Sequence, residues 1–285
     1  MEEKIPAMLD ALLQKYHAKT RLAGAQNAVV KHVRGLTRNT KPNPRRFFVA
    51  EGIWTCGLAC KSNIKIVNAI LATECIHSLE AFQIAEELCA RAEDVNLVSK
   101  KVFQSISERG EPDGLMAVCV FPEYVLASIS TQNAVILVLD GLEIPGNVGT
   151  IIRSADAAGA DAVFLVNRKA RLTHPKLLKG SMGSVFTKPV IEFDSVSSCR
   201  EWLNRHGFTV YLADTRAEKT YYQHSYQGNT ALILGSERYG ISREWYDGQP
   251  EMLSIPMMGD CDSLNVAIAG TVILYEIMLK KQGWK

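Results

Sequence analysis

Three short segments in the second half of the chain combine glycines with polar or charged side chains. They span residues 147–153, 235–240 and 255–265. The side chains in them that can bind a substrate or handle a proton are Asn147, Arg153, Glu237, Ser263 and Asn265. A guanidinium grips a phosphate through two parallel hydrogen bonds, whereas carboxylates, amides and hydroxyls orient neighbouring groups. The combination suits a site that holds an anionic substrate, and it contains no set of metal ligands.

The first segment follows an apolar run, residues 134–139, which is typical of a strand covered on both faces. A loop with Pro145 then leads into a predicted helix that ends near Ala158. The start of such a helix favours anions. Gly149 and Arg153 lie four residues apart on this helix, so we expect the arginine side chain to cover the space that the glycine leaves.

Each segment alone has a simpler interpretation. The first could be an ordinary strand-to-helix turn with a surface arginine, and the second a glycine-rich turn with Glu237 in solvent. In the third segment, Ser263 or Asn265 would serve as a helix cap. A dinucleotide site is a further alternative, but the spacing is not G-x-G-x-x-G and the next strand ends in Asn167 and Arg168 rather than in an acid.

Taken together and in this order, the three segments resemble the motifs of the SpoU, or TrmH, family of RNA ribose methyltransferases within the SPOUT superfamily. The first motif, N-x-G-x-x-x-R, matches Asn147, Gly149 and Arg153. The second, G-x-E-x-x-G, matches Gly235, Glu237 and Gly240. The third matches Ile255, Pro256, Ser263, Leu264 and Asn265. The residues of the first two motifs are most similar to the thiostrepton-resistance type of large-subunit rRNA methyltransferase, and a housekeeping enzyme that modifies rRNA is equally compatible with them.

The resemblance implies a fold, a cofactor and a reaction. The fold is an α/β catalytic domain with a mostly parallel sheet and a deep trefoil knot, and the reaction transfers a methyl group from S-adenosylmethionine to a ribose 2′-hydroxyl of RNA. The catalytic residues that it implies are Arg153, Asn147, Glu237, Ser263 and Asn265. The residues that it implies around the cofactor are Ala213, Gly235, Glu237, Ile255 and Leu264. Family members are homodimers in which each active site borrows residues from the partner.

The first half of the chain predicts a separate domain, because short strands and helices alternate there. We interpret residues 1–122 as a small α/β domain that binds the RNA substrate, similar to the domains that often precede this catalytic domain, and residues 130–285 as the catalytic domain. Apolar residues at helical spacing predict a helix over about the first 25 residues, and the basic stretch that follows, with Pro42 and Pro44, is expected to be a loop.

Positive charge is concentrated in this first half. From Ala11 to Ala50 the chain has nine lysines and arginines and no acid. Either this stretch is a solvated basic face, or it contacts the phosphates of a nucleic acid, as an RNA substrate would require. The residues expected to contact RNA are Arg34, Arg38, Arg45 and Arg46.

Composition sets further bounds. The chain has 285 residues, 47% of them hydrophobic, which suits two globular domains, and its net charge of +2 implies no particular partner. Seven cysteines without the spacing of a disulfide framework or a zinc site indicate free thiols in a reducing compartment. Neither a signal peptide nor an apolar run of about 18 residues is visible, so we expect a cytoplasmic protein that binds no membrane and no metal.

Ribosomal RNA is the expected substrate, because the chain ends at Lys285 without the basic extension that some tRNA-modifying relatives carry. One alternative is a 2′-O-methyltransferase that acts on tRNA. Another is an RNA-binding protein that keeps the knotted fold and transfers no methyl group. The five polar residues of the motifs argue against the second alternative.

Overall fold

The chain folds into two units, each with its own β-sheet. The computed structural model describes residues 4–39 and 41–284. One unit comprises the residues up to Pro122 together with 173–175, and the other comprises residues 123–172 and those from Lys176 onward. The outer ends of the two domains expected from the sequence, residues 1–3 and 285, lie outside the described residues.

The first unit is built on a five-stranded mixed sheet. Its strands are β1 (Thr20–Leu22), β2 (Phe47–Glu51), β3 (Ile66–Leu71), β4 (Asp94–Leu97) and β5 (Leu115–Val120). Its helices are α1 (Ile5–Lys15), α2 (Ala28–Arg38), α3 (Gly52–Lys61), α4 (Leu79–Arg91) and α5 (Lys100–Gln104). The strand order is β1-β4-β3-β5-β2, and β5 runs antiparallel to both of its neighbours.

Helix α2 shows that the expectation of a loop is wrong for residues 28–38, whereas residues 41–46, which include Pro42 and Pro44, lie outside helices and strands as expected. The side chain of Asn27 caps its start by accepting the N–H of Val29 at 2.9 Å, and Asn39 ends it in a left-handed conformation. Val30 and Val33 are fully buried, so packing on the sheet holds this helix despite its like charges. Helix α1 is also shorter than expected, and strand β1 lies where helix was predicted.

The second unit contains a six-stranded sheet in which all neighbouring strands are parallel. Its strands are β6 (Val135–Asp140), β7 (Ala162–Val166), β8 (Val190–Glu192), β9 (Thr209–Ala213), β10 (Thr230–Gly235) and β11 (Glu251–Leu253). Its helices are α6 (Pro145–Ala158), α7 (Pro175–Ser181), α8 (Val196–Arg205) and α9 (Val266–Lys281). The strand order is β11-β9-β10-β6-β7-β8, which confirms the mostly parallel sheet.

The strand order reverses between β6 and β10. The chain runs outward from β6 to β7 and β8 and later returns, so that β10 lies beside β6. In open parallel sheets, ligands bind at the carboxyl ends of the strands where such a reversal occurs. Helix α9 packs closely over β10, since a β-carbon at Gly270 would lie 2.6 Å from a methyl of Leu234. The trefoil knot stays a prediction.

Candidate active site

The three segments meet at the carboxyl edge of the parallel sheet. Residues 147–153 belong to α6, which follows β6, and residues 235–240 form the turn at the end of β10. These two strands are neighbours, and Gly235 pairs with Asp140 in the ladder. The third segment lies between β11 and α9 and reaches the same edge, since Ile255 and Gly235 line one cavity.

A chain of hydrogen bonds joins one residue from each segment. Asn265 donates from Nδ2 to Oδ1 of Asn147 at 3.3 Å, and Asn147 donates from its own Nδ2 to Oε1 of Glu237. Asn147 is half-buried, whereas Glu237 and Asn265 are exposed. The network therefore holds a carboxylate in a fixed orientation at the surface of the site.

Asn265 also caps helix α9. Its Oδ1 accepts the backbone N–H of Ala267 at 3.0 Å, so the helix-cap interpretation is correct for this residue. The cap and the network use different atoms of one side chain. Both interpretations of Asn265 therefore hold at once.

Close approach of the backbone requires Gly149 and Gly235. A β-carbon at Gly149 would collide with the carbonyl oxygen of Leu177 and lie 2.9 Å from the nitrogen of Ser181, both in α7. A β-carbon at Gly235 would collide with the backbone of Gly240 across the turn. Both glycines of the first two motifs thus shape the site through chain packing.

Arg153 lies apart from the network. The space above Gly149 is filled by α7, so the expectation that Arg153 covers it is wrong. Arg153 is exposed, is not among the residues that line the cavity, and makes no hydrogen bond or ion pair with the described residues. It lies about 120° around α6 from Asn147, because an α-helix turns by about 100° per residue.

A cavity of about 530 Å³ lies beside Glu237. It is lined by all five residues expected around the cofactor, Ala213, Gly235, Glu237, Ile255 and Leu264, and by Ser263. Leu234, Leu253 and Ile273 contribute apolar surface. The volume falls in the range of roughly 300–1,000 Å³ that is typical of small-molecule sites. Glu237 belongs both to this cavity and to the network.

Comparison with known proteins agrees with this geometry. Residues 134–275 match the SpoU rRNA Methylase family, and residues 27–117 match the MRM3-like substrate binding domain. A Bacillus subtilis relative, the 23S rRNA (guanosine(2553)-2′-O)-methyltransferase RlmP, is 33% identical over 181 residues, which cover 64% of this chain and 71% of the relative. The chain belongs to the SpoU rRNA methylase family.

Two further proteins are similar over most of the chain. The 23S rRNA (guanosine-2′-O-)-methyltransferase RlmB of Xanthomonas campestris pv. campestris is 30% identical over 216 residues, covering 70% of this chain and 84% of the relative. The AdoMet-bound rRNA methyltransferase from Sinorhizobium meliloti has a TM-score of 0.81 at 28% identity, covering 91% of this chain and 97% of that one. Family membership removes the dinucleotide alternative.

Sequence reasoning missed a charged cluster in the wall of the cavity beside Glu237. Asp214 accepts two hydrogen bonds from the Arg216 guanidinium, at 3.0 and 2.8 Å, and one from the Tyr246 hydroxyl at 2.6 Å. Arg216, and to a smaller extent Tyr246, lower the pKa of Asp214 below its usual value, although burial acts in the opposite direction. The only signal in the sequence is an Asp-x-Arg that follows directly on a strand.

Asp140 is a further residue that sequence reasoning missed. Its side chain is buried at the end of β6, where Oδ1 accepts from Nδ2 of Asn167 at 2.8 Å and Oδ2 from the backbone N–H of Ser242 at 2.7 Å. Ser242 lies just beyond the turn that carries Glu237. Asp140 therefore ties the ends of two strands to the loop that borders the cavity beside Glu237.

The four arginines expected to contact RNA lie in the first unit. Arg34 donates to Oγ of Ser105 at 3.4 Å, and the Arg46 guanidinium lies 5.0 Å from the centre of the Phe121 ring. Arg38 and Arg45 are exposed. RNA contact by these four residues stays a prediction.

Three further features concern residues 4–39 and 41–284, the part of the chain that the structure describes. All seven cysteines are free, and six of them are buried. No helix there is long and apolar enough to cross a membrane. No three histidine, cysteine or acidic side chains come together there in a way that could hold a metal ion.

Proposed function

We propose that this protein transfers a methyl group from S-adenosylmethionine to a ribose 2′-hydroxyl of ribosomal RNA in the cytoplasm. The observation that carries the proposal is the position of Glu237, which lines the cavity and also accepts a hydrogen bond from Asn147. A small-molecule site and a polar network thus share one carboxylate. The relatives RlmP and RlmB, both named as 23S rRNA 2′-O-methyltransferases, support the same reaction and the same class of RNA.

The cavity fits S-adenosylmethionine in size and in chemistry. Its apolar side chains can cover the uncharged parts of the ligand, and the Asp214–Arg216 pair offers charged groups at its wall. The AdoMet-bound relative from Sinorhizobium meliloti supports this cofactor. When bound, the cofactor supplies a methyl group already activated on a sulfonium, so the protein has to align the ribose hydroxyl and provide a route for its proton.

The proposed role of Arg153 is to clamp the phosphate next to the target ribose. A guanidinium keeps its proton in proteins, so Arg153 is a poor proton acceptor but a good bidentate partner for phosphate. Glu237, held by Asn147, would orient the ribose hydroxyl, with Ser263 and Asn265 beside it. The proton would then leave to the phosphate or to water.

We also propose that two copies of the chain share their active sites. Helix α9 exposes Ile268 and Tyr275, which lie two turns apart on one face, and Ile144 is exposed just before α6. These apolar side chains suit an interface between copies. Arg153 leaves α6 in a different direction from Asn147, which supports a role for Arg153 in the site of the partner copy.

Transfer of a tritium-labelled methyl group from S-adenosylmethionine to purified 23S rRNA tests the reaction, and tRNA is the competing substrate. The label should appear in rRNA. The methyl group that carries it should also protect one phosphodiester bond from alkali, because a 2′-O-methyl group blocks attack by the ribose oxygen. If no RNA becomes labelled, the proposed function is wrong. Label in tRNA alone would change the substrate and keep the reaction.

Variants of α6 test the roles of its residues and the shared site. Arg153→Ala should abolish transfer while binding of S-adenosylhomocysteine stays normal, and Arg153→Lys should recover little because lysine lacks the planar fork. Mixed dimers of Arg153→Ala with Asn147→Ala should regain activity if Arg153 acts on the partner copy. Inactive mixtures, or a monomer in sedimentation, would argue against sharing.

A further inference from the structure

A second cavity, of about 370 Å³, opens in the first unit beside helix α2. It is lined on one side by residues of α2 and by Asn39 at its end, and on the other by residues 41–45, Phe47 and Thr173. We refer to it as the α2 cleft. It lies within the basic stretch of the sequence but has a definite shape, which a solvated basic face would not need.

Helix α2 has one face for the core and another for the cleft. Val30 and Val33 are fully buried in the core, whereas Ala28 and Gly35 line the cleft. A β-carbon at Gly35 would meet nothing within 4 Å, so packing does not require glycine there. Glycine is a poor helix former, and its cost in a helix calls for another reason. Its effect is to leave the floor of the cleft open.

The opposite wall of the cleft is formed before any ligand binds. Asn43 donates from Nδ2 to the carbonyl of Phe47 at 2.6 Å and accepts the N–H of Phe47 at 2.9 Å. Pro42 and Pro44 restrict the backbone on both sides of Asn43. The loop is therefore rigid, which lowers the entropic cost of binding against it.

The chemistry of the cleft combines flat rings with positive charge. The rings of His32 and Phe47 meet edge to face, with centres 5.3 Å apart and an interplanar angle of 82°. Burial lowers the pKa of His32 below its usual value, which favours the uncharged ring at neutral pH. Lys31 and Arg45 are exposed, and no carboxylate occurs among the described residues that line the cleft.

We propose that the α2 cleft binds one unstacked base of the RNA substrate, with the phosphate beside that base held by Lys31 and Arg45. The inference rests on the proposed function, since it takes RNA as the substrate. A phosphate alone would need the cations but neither the open floor nor the paired rings. Proteins that read single-stranded RNA stack exposed bases on aromatic side chains and hold the backbone with cations.

Filling the cleft without changing its charge is the first test. Gly35→Leu places a side chain in the open floor and introduces a better helix former. The affinity for 23S rRNA should fall about tenfold to a hundredfold, which corresponds to the loss of one stacked base. Gly110→Leu is the matched control, because open space also surrounds Gly110 and it lies outside the cleft. Wild-type affinity in Gly35→Leu would overturn the inference.

A direct binding experiment with small ligands is the second test. The ring signals of His32, assigned by comparison with His32→Gln, are followed by NMR in the full-length protein during titration with AMP, GMP, CMP and UMP. Ribose 5-phosphate is the control that lacks a base. At least one nucleotide should shift the His32 signal to saturation, and ribose 5-phosphate should not. Equal shifts with ribose 5-phosphate, or none with any ligand, would refute binding of a base.

These tests separate the cleft from the methyltransferase proposal. If the wild-type protein methylates rRNA and Gly35→Leu binds that RNA normally, only the cleft inference fails. If the wild-type protein labels no RNA, the proposed function fails. The nucleotide titration still decides in that case whether the cleft binds a base.

Discussion

The substitution Asp140→Asn tests how far the cofactor cavity depends on a buried carboxylate outside it. Asp140 accepts one hydrogen bond at each oxygen, from Asn167 and from the backbone of Ser242. Asparagine keeps the shape but turns one acceptor into a donor that faces another donor. A hydrogen bond to a charged group contributes about 1.5–3 kcal/mol, and removal of the buried charge offsets part of the loss. We expect the free energy of unfolding of the second unit to fall by about 2 kcal/mol.

Calorimetry and ligand binding measure two separate consequences of Asp140→Asn. The unfolding transition of the second unit should move down by roughly 4–8 °C, at about 2–4 °C per kcal/mol for a unit of this size. The affinity for S-adenosylhomocysteine should fall about tenfold, because a loosened loop after β10 has to be ordered again when the ligand binds. Both effects follow from the loss of one tether between β6 and that loop.

Asp161→Asn is the matched control. Asp161 accepts the N–H of Val135 at 2.7 Å, at the opposite end of β6 from the cavity. This variant should lose stability and keep its affinity for S-adenosylhomocysteine. The reasoning is wrong if Asp140→Asn binds the ligand as the wild type does, or if both variants lose affinity equally.

Three further changes test single contacts. Gly149→Ala should destabilise the second unit by about 2 kcal/mol, because its β-carbon collides with the backbone of α7. Gly146→Ala is the control and should leave the stability unchanged, because open space surrounds Gly146. Equal melting curves for the two variants would contradict this reasoning. Tyr246→Phe removes a hydrogen bond to Asp214, so in urea unfolding it should cost about 1.5 kcal/mol at pH 7. Folding lowers the pKa of Asp214, so the stabilisation that the Tyr246 hydrogen bond gives is present above about pH 4. It should fade as the pH falls further through the folded-state pKa of Asp214. A stability difference between Tyr246→Phe and the wild type that persists in acid would refute this reasoning. Arg91→Ala removes hydrogen bonds to carbonyls at the end of α3 and should lower the melting transition of the first unit while ligand binding stays unchanged.

The sequence was sufficient for the elements whose own residues decide their structure. The apolar run at residues 134–139 predicts a strand covered on both faces, and β6 is buried along its whole length there. Helix α2 was missed because the like charges of the basic stretch obscured its own signals, the helical spacing of Val29, Val30, Val33 and Leu36 and the cap at Asn27. Strand β11 is three residues long and is defined by its pairing with β9, which local sequence does not encode.

The candidate site, like the fold, was predictable from the sequence only in part. Residue type and order led to the motifs, but the contact between Asn147 and Asn265 joins positions 118 apart and depends on the register of α6 against α9. The prediction for Gly149 failed because the neighbour that fills its space, α7, comes from a distant part of the chain. The role of Asp140 was missed for a similar reason, since its partners Asn167 and Ser242 reach it only when strand ends and loops are assembled.

The directions of the hydrogen bonds explain how a helix cap can also belong to the candidate site. Asn265 uses Oδ1 to accept the N–H of Ala267, so its amide nitrogen is the group that faces Asn147. Asn147 must therefore present Oδ1 to Asn265 and Nδ2 to Glu237. The start of α9 thus sets the orientation of two amides and, through Asn147, the position of the Glu237 carboxylate beside the cavity.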